Sequence, residues 1–208
     1  LDEVAQYCTL ILETAEALMK AIDIVDIEKI KTLITKCPEI LDQPISNDYR
    51  PLEYACRMGN LDIVRELVNN GAKIDQVNMP HQVTPLMLAC LGGHREIIDF
   101  LLTNDADVKI VLSTNPITNR EITAIHGAIS SGILDKKWAM KLGYADLAPI
   151  QKKFILLRSA GSGLLSAISY FLETDPDLIN AVDSSGQDAL LFACSRQREN
   201  VVNFLLDK

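Results

Sequence analysis

The sequence predicts an all-α protein built as a solenoid of stacked helix-turn-helix units, and three observations predict it. Small residues recur at Ala21, Ala55, Ala89, Ala128, Ser159 and Ala193, spaced 34, 34, 39, 31 and 34 residues apart. A glycine stands four residues after four of them, at Gly59, Gly93, Gly132 and Gly163. Apolar residues at helical spacing follow each break, as in Leu61-Asp62-Ile63-Val64-Arg65-Glu66-Leu67-Val68 and Arg95-Glu96-Ile97-Ile98-Asp99-Phe100-Leu101-Leu102. Each unit thus reads as a short helix, a left-handed glycine cap and a second helix. One such pair cannot bury its apolar face alone, so the units must stack.

The elements follow in order along one array over 1–208. Residues 1–44 read as an N-terminal capping helix and a degenerate first repeat. Val4, Cys8, Leu12, Ala15 and Met19 form its apolar stripe, and Leu18–Ala21 leads into Ile27–Ile34. Clear repeats span 45–132, where Arg50-Pro51-Leu52-Glu53-Tyr54-Ala55-Cys56 overlays Thr84-Pro85-Leu86-Met87-Leu88-Ala89-Cys90. Residues 133–174 hold irregular repeats. There the paired lysines Lys136 and Lys137 stand where aliphatics are wanted, so a slipped face of Leu134, Trp138 and Leu142 is the expected core, with the single tryptophan buried. A last repeat occupies 175–208 and stops without a capping unit. The chain opens on Leu1 rather than methionine, and it reads as an excised piece with more protein expected beyond Lys208.

Thr84-Pro85-Leu86, Gly93-His94, Leu101-Leu102, Asn70-Gly71-Ala72 and the turn Asp183-Ser184-Ser185-Gly186 together resemble the ankyrin repeat. The resemblance implies β-hairpin fingers between units. The wide spacing from Ala89 to Ala128 adds five residues at a finger position. Val108–Leu112 and Asn119–Thr123 there flank a polar, proline-containing turn, which points to an extended finger over 108–123. It also implies a non-catalytic scaffold or adaptor that binds a protein or peptide on its concave face and finger tips. Carried over position by position, the finger contacts are Asn47, Tyr49, Met79, His81, Asn119, Arg120 and Gln187. The contacts just before the glycine break are Arg57, Met58, Leu91, Ser131 and Arg196. Tyr49, Arg57, Met58 and Arg120 are the strongest of these, because tyrosine and arginine are enriched at hot spots and methionine adapts to varied surfaces.

Composition narrows the partners. The chain carries 28 Asp and Glu against 20 Lys and Arg, a formal charge of -8, which disfavours nucleic acid and anionic lipid. No apolar run reaches the length of a membrane span. Five scattered cysteines and three histidines form no zinc spacing, so no metal or cofactor is expected and the thiols read as reduced and buried in a cytoplasmic protein. Cys56, Cys90 and Cys194 each follow an anchor alanine and read as packing positions. His126 and His94 fall on the motif's structural positions, and His81 on a finger. Gly161-Ser162-Gly163 lacks the lysine and hydroxyl ending of a phosphate loop. No catalytic site assembles from these residues. The alternative reading is the substrate-recruiting part of a larger enzyme, or of a bacterial effector acting in a host cytoplasm.

Overall fold

The computed structural model describes residues 2–45, 47–78, 81–110, 112–113 and 121–208, with backbone alone at 2–5, 112–113 and 121–122. Among the described residues the chain is predominantly helical, and its helices come in pairs. The chain divides into two compact units, residues 1–107 and 108–208.

In the first unit the pairs are α1 (Asp2–Asp23) with α2 (Ile27–Lys36), α3 (Pro51–Met58) with α4 (Leu61–Asn69), and α5 (Pro85–Gly92) with α6 (Arg95–Thr103). The first helices pack in one row, α1 on α3 on α5, and the second helices in another, α2 on α4 on α6. Ala55 and Ala89 are fully buried between rows, where a methyl group lets the backbones approach. The core is filled by Leu52, Ile63, Val64 and Leu67 of one pair and Leu86, Ile97, Ile98 and Leu101 of the next. Burying each such side chain contributes about 1.5–3 kcal/mol.

Local sequence explains the helix ends. Pro51 and Pro85 sit in the first turn, where a missing N–H costs nothing. Thr84 Oγ1 accepts the Met87 N–H, and Asn60 Oδ1 accepts the Ile63 N–H. Gly59 (φ 85°) and Gly93 (φ 74°) close α3 and α5 in the left-handed region.

The second unit repeats the plan with α7 (Ala124–Ser130), α8 (Lys136–Lys141), α9 (Pro149–Ser162), α10 (Leu165–Thr174), α11 (Ala189–Ser195) and α12 (Glu199–Leu206). Its rows are α7–α9–α11 and α8–α10–α12. Leu134, Trp138 and Leu142 are all buried and Lys136 and Lys137 exposed, so the slipped face is the packed one. The irregularity has a physical origin. Helix α8 is only six residues long, and Gly143 at φ 75° turns the chain into a short 3-10 segment, Tyr144–Asp146. Tyr144 is fully buried and stacks on Phe171 with ring centroids 4.1 Å apart, filling space that a longer α8 would occupy. Helix α9 then runs for 14 residues against 8 in α3. Ahead of α7, Leu112–Ser113 pairs antiparallel with Glu121–Ile122. The tip of the expected extended finger, Asn119 and Arg120 included, lies outside the described residues.

Two expectations are corrected. The buried side of α1 is Thr14, Ala15, Leu18, Ala21 and Ile22, whereas Cys8 and Leu12 of the expected stripe are exposed. At 22 residues, α1 is longer than the helices it packs on, and the side chains it buries among those described lie in its second half. Cys194 is likewise exposed although Cys56 and Cys90, in the same register, are buried. Helix α5 packs on α3, which holds Cys56, whereas among the described residues α11 packs on α9 and α12 and leaves Cys194 uncovered.

Candidate functional site

Four of the contact residues expected from sequence meet on one surface of the first unit. Tyr49 and His81 stack with ring centroids 4.4 Å apart at 14°. The Arg57 guanidinium lies 5.2 Å from the Tyr49 centroid, within cation–π range. His81 Nε2 lies 2.9 Å from the Asn47 carbonyl and donates to it, which fixes the imidazole plane. Met58 and Leu91, at the ends of α3 and α5, are each 54% exposed and present aliphatic area from the same helix row.

A buried polar strut holds this surface. Asn78, fully buried, donates from Nδ2 to the Asp48 carbonyl at 2.8 Å and to Glu53 Oε2 at 2.7 Å. Its Oδ1 accepts the His81 N–H at 3.0 Å, and its backbone bridges to Val83. Glu53, 1% exposed, also accepts from Arg50 Nη1 at 3.0 Å and from the Arg50 N–H at 2.9 Å, so the buried charge is fully partnered. One carboxylate and one amide therefore tie two successive loops, and with them Tyr49 to His81. Asn47, Asp48 and Gln82 adopt positive φ (45°, 64° and 48°), a conformation that neighbouring bonds must hold in place.

Sequence reasoning missed this strut. Its one signal was a glutamate where the repeat motif carries histidine, at a position that the pattern buries. His94 has the structural role expected of it. Its ring fills the space beside Gly59 and Gly92, where any Cβ would overlap it, and Nε2 donates to the Arg57 carbonyl at 3.2 Å.

Two further expected residues meet in the second unit. Ser131 and Arg196 line a groove of about 420 Å³ together with Ile129, Gly161, Ser162 and Arg198. The Ser131 hydroxyl donates to the Gly127 carbonyl at 3.2 Å. Arg198, which sequence reasoning did not single out, stands 104 residues after His94 in the same place of its unit. Gln187 is exposed on the turn whose backbone is held by Asp183 Oδ1 at 2.9 Å, and it joins neither cluster. Met79, Asn119 and Arg120 lie outside the described residues.

Groups with chemical potential are otherwise engaged. Thr123 Oγ1 and His126 Nδ1 are 3.0 Å apart, as a hydroxyl and a base would be, but Thr123 is 2% exposed and the contact closes the first turn of α7. Burial, and then Arg158, push the His126 imidazole down to about 4. Burial also pushes the Cys90 thiol up to about 12, and burial with Glu53 raises Cys56 further. Among the described residues no three His, Cys, Asp or Glu side chains gather as metal ligands, and no helix is long and apolar enough to cross a membrane.

Paired helices in two rows, closed by left-handed glycines, define a helical-repeat protein. Residues 52–102 match the family model described as ankyrin repeats (many copies), so this stretch of the chain is similar to that family. No curated protein sequence matches the chain. Its fold is similar to that of a chain in the solved complex of the Bd0816 predatory endopeptidase from Bdellovibrio bacteriovorus with immunity protein Bd3460. The TM-score is 0.73 and the identity 22%, over 93% of this chain and 98% of that one.

Proposed function

We propose that the chain is a non-catalytic protein-binding module, a scaffold or adaptor in the cytoplasm, whose repeats form one array over 1–208 and engage a protein or peptide along their finger tips and first helices. The observation that carries this reading is the stack of Arg57, Tyr49 and His81, pinned by Asn78 and flanked by exposed Met58 and Leu91. Rigid aromatic and arginine groups beside adaptable aliphatic area are what binding hot spots are made of, and fixing them in advance lowers the entropy lost on binding. The same reading takes Met79, Asn119 and Arg120, which lie outside the described residues, as further contacts. The likeness to a chain taken from a protein–protein complex agrees with this reading. Nucleic acid and anionic membrane surfaces are not among the partners of this reading, in keeping with the acidic charge.

The test is affinity capture from cell lysate with the wild-type chain beside a Tyr49→Ala/Met58→Glu variant whose circular dichroism matches wild type. A protein retained by wild type and lost by the variant is the expected result. Equal retention on both baits rejects this surface as the binding site.

A further inference from the structure

The groove of the second unit differs in chemistry from the stack of the first, and its cations are set by glycines. At Gly161 an added Cβ would come within 2.6 Å of Arg196 Nη1 and 3.2 Å of its Cδ, and at Gly163 within 3.1 Å of Arg198 Cδ. Each arginine thus lies close along the open side of a glycine. In the equivalent place of the first unit the residues are Gly92, Gly93 and His94; here they are Arg196, Gln197 and Arg198, and Gln197 is held at φ 56° where Gly93 was free to turn. Two cations thus replace one imidazole and a glycine.

The carbonyl ends of the helices that reach this groove would by themselves favour a cation. They are already satisfied from within. Gly161 O accepts from Arg198 Nε at 3.1 Å, Gly127 O accepts from the Ser131 N–H and hydroxyl, and Ala160 O accepts the Gly163 N–H. Facing outward are the guanidinium of Arg196, which among the described residues makes no ion pair, and the Nη groups of Arg198. None of the lining residues is acidic, and buried Ile129 forms the apolar floor. The charge of -8 is not spread evenly: residues 1–107 carry 9 Lys and Arg against 18 Asp and Glu, residues 108–208 carry 11 against 10. Screening limits each charge to roughly 8 Å at physiological salt, so the groove's own arginines set its potential.

From this geometry we infer that the groove binds an acidic peptide segment of a partner protein, two of whose Asp or Glu carboxylates pair with Arg196 and Arg198. Guanidinium forks match carboxylates in a bidentate geometry, and the volume lies in the range of small-ligand and side-chain pockets. The inference rests on the reading of the chain as a protein-binding module and adds the chemistry of the partner.

The test is fluorescence anisotropy of the full chain with a labelled peptide of alternating glutamate and glycine, and with its glutamine counterpart. The glutamate peptide binds, more weakly as salt rises, and the glutamine peptide does not. Arg196→Glu, which leaves the Arg198–Gly161 tie in place, weakens binding roughly tenfold or more. Lys137→Glu makes the same change of net charge on an exposed helix position and leaves the affinity within about twofold. Equal loss from both variants, or equal binding of both peptides, overturns the inference, and a melting temperature matched to wild type for each variant excludes unfolding as the cause. Lysate capture separates the two readings. If the peptide fails while capture still depends on Tyr49 and Met58, the groove assignment falls and the module stands. If the peptide binds through Arg196 while capture ignores Tyr49 and Met58, the first-unit surface falls instead.

Discussion

Arg198 makes with Gly161 the same link that His94 makes with Arg57, 104 residues earlier in the chain. Arg198 Nε donates to the Gly161 carbonyl at 3.1 Å, and His94 Nε2 to the Arg57 carbonyl at 3.2 Å. In both cases the side chain at the start of a second helix reaches back across a row to the last turn of the preceding first helix, over a left-handed glycine. The repeat therefore specifies a donor at this place rather than a histidine. Imidazole and guanidinium meet the requirement equally, and the guanidinium keeps its remaining N–H groups for the groove.

The glycine beneath the link is required twice over at Gly59. Its φ of 85° disfavours any side chain, and an added Cβ would overlap the His94 ring. Gly59→Ala is expected to cost about 2–3 kcal/mol. Combining it with His94→Ala removes the overlap but not the backbone cost, so a double-mutant cycle in urea should give a coupling of about 1 kcal/mol. Strictly additive losses would mean that the ring moves aside freely and does not set the glycine.

The strut between loops predicts a larger loss. Glu53→Leu strips a partner from Arg50 and from Asn78 in a buried site, and removing one side of a buried ion pair typically costs about 3–5 kcal/mol. Asn78→Ala leaves Glu53 with Arg50 and is expected to cost about 1–3 kcal/mol. It should also free the Tyr49–His81 stack, visible as a shift of the His81 ring protons toward those of a solvated histidine. Unchanged ring shifts in a folded Asn78→Ala variant would show that the stack holds itself.

What could be read in advance follows from where the forces act. Helix pairs, glycine caps and the burial of Trp138 depend on residues within one turn or one period of each other, so spacing alone reveals them. The Asn78–Glu53 strut joins residues 25 apart, and the Arg198–Gly161 tie residues 37 apart, so neither leaves a local pattern. Tyr144 was hidden for another reason: a short α8 made room for it, and helix length is the least determined feature of a periodic sequence. The phase of α1 went wrong because apolar spacing cannot tell which part of a long helix has a neighbour. Of the proposed binding surface, Tyr49, Arg57, His81 and Asn47 were named residue by residue, whereas their mutual contact was not.

Burial sorts the five thiols. Cys8 and Cys194 are exposed, and Cys37, Cys56 and Cys90 are buried. Burial raises all three buried thiols above the ordinary range, with Glu39 adding to Cys37 and Glu53 to Cys56. A thiolate is the reactive form, so an aromatic disulfide reagent at neutral pH should titrate two thiols quickly and the other three only on unfolding. Reaction of a third thiol at the fast rate, mapped by mass spectrometry to Cys56 or Cys90, would contradict the packing of α3 against α5.

His126 gives the fold an acid limit. Its Nδ1 accepts the Thr123 N–H at 3.1 Å, so the neutral ring carries its proton on Nε2, and protonating Nδ1 would break the first turn of α7. Burial and then Arg158 lower its pKa from 6.5 to about 4. The unfolded chain thus binds a proton over a range of pH in which the folded chain does not. This contribution to stability is complete above the unfolded value, declines as pH falls below it, and is gone once pH has passed through about 4. Its size is about 3 kcal/mol. His126→Gln keeps a side-chain acceptor at the third helical position but cannot titrate. Between about pH 7 and about pH 4.5 the wild type should lose about 2 kcal/mol more than this variant in urea unfolding, the carboxylates contributing equally to both. Parallel losses would mean that the fold does not hold the His126 imidazole below its ordinary pKa.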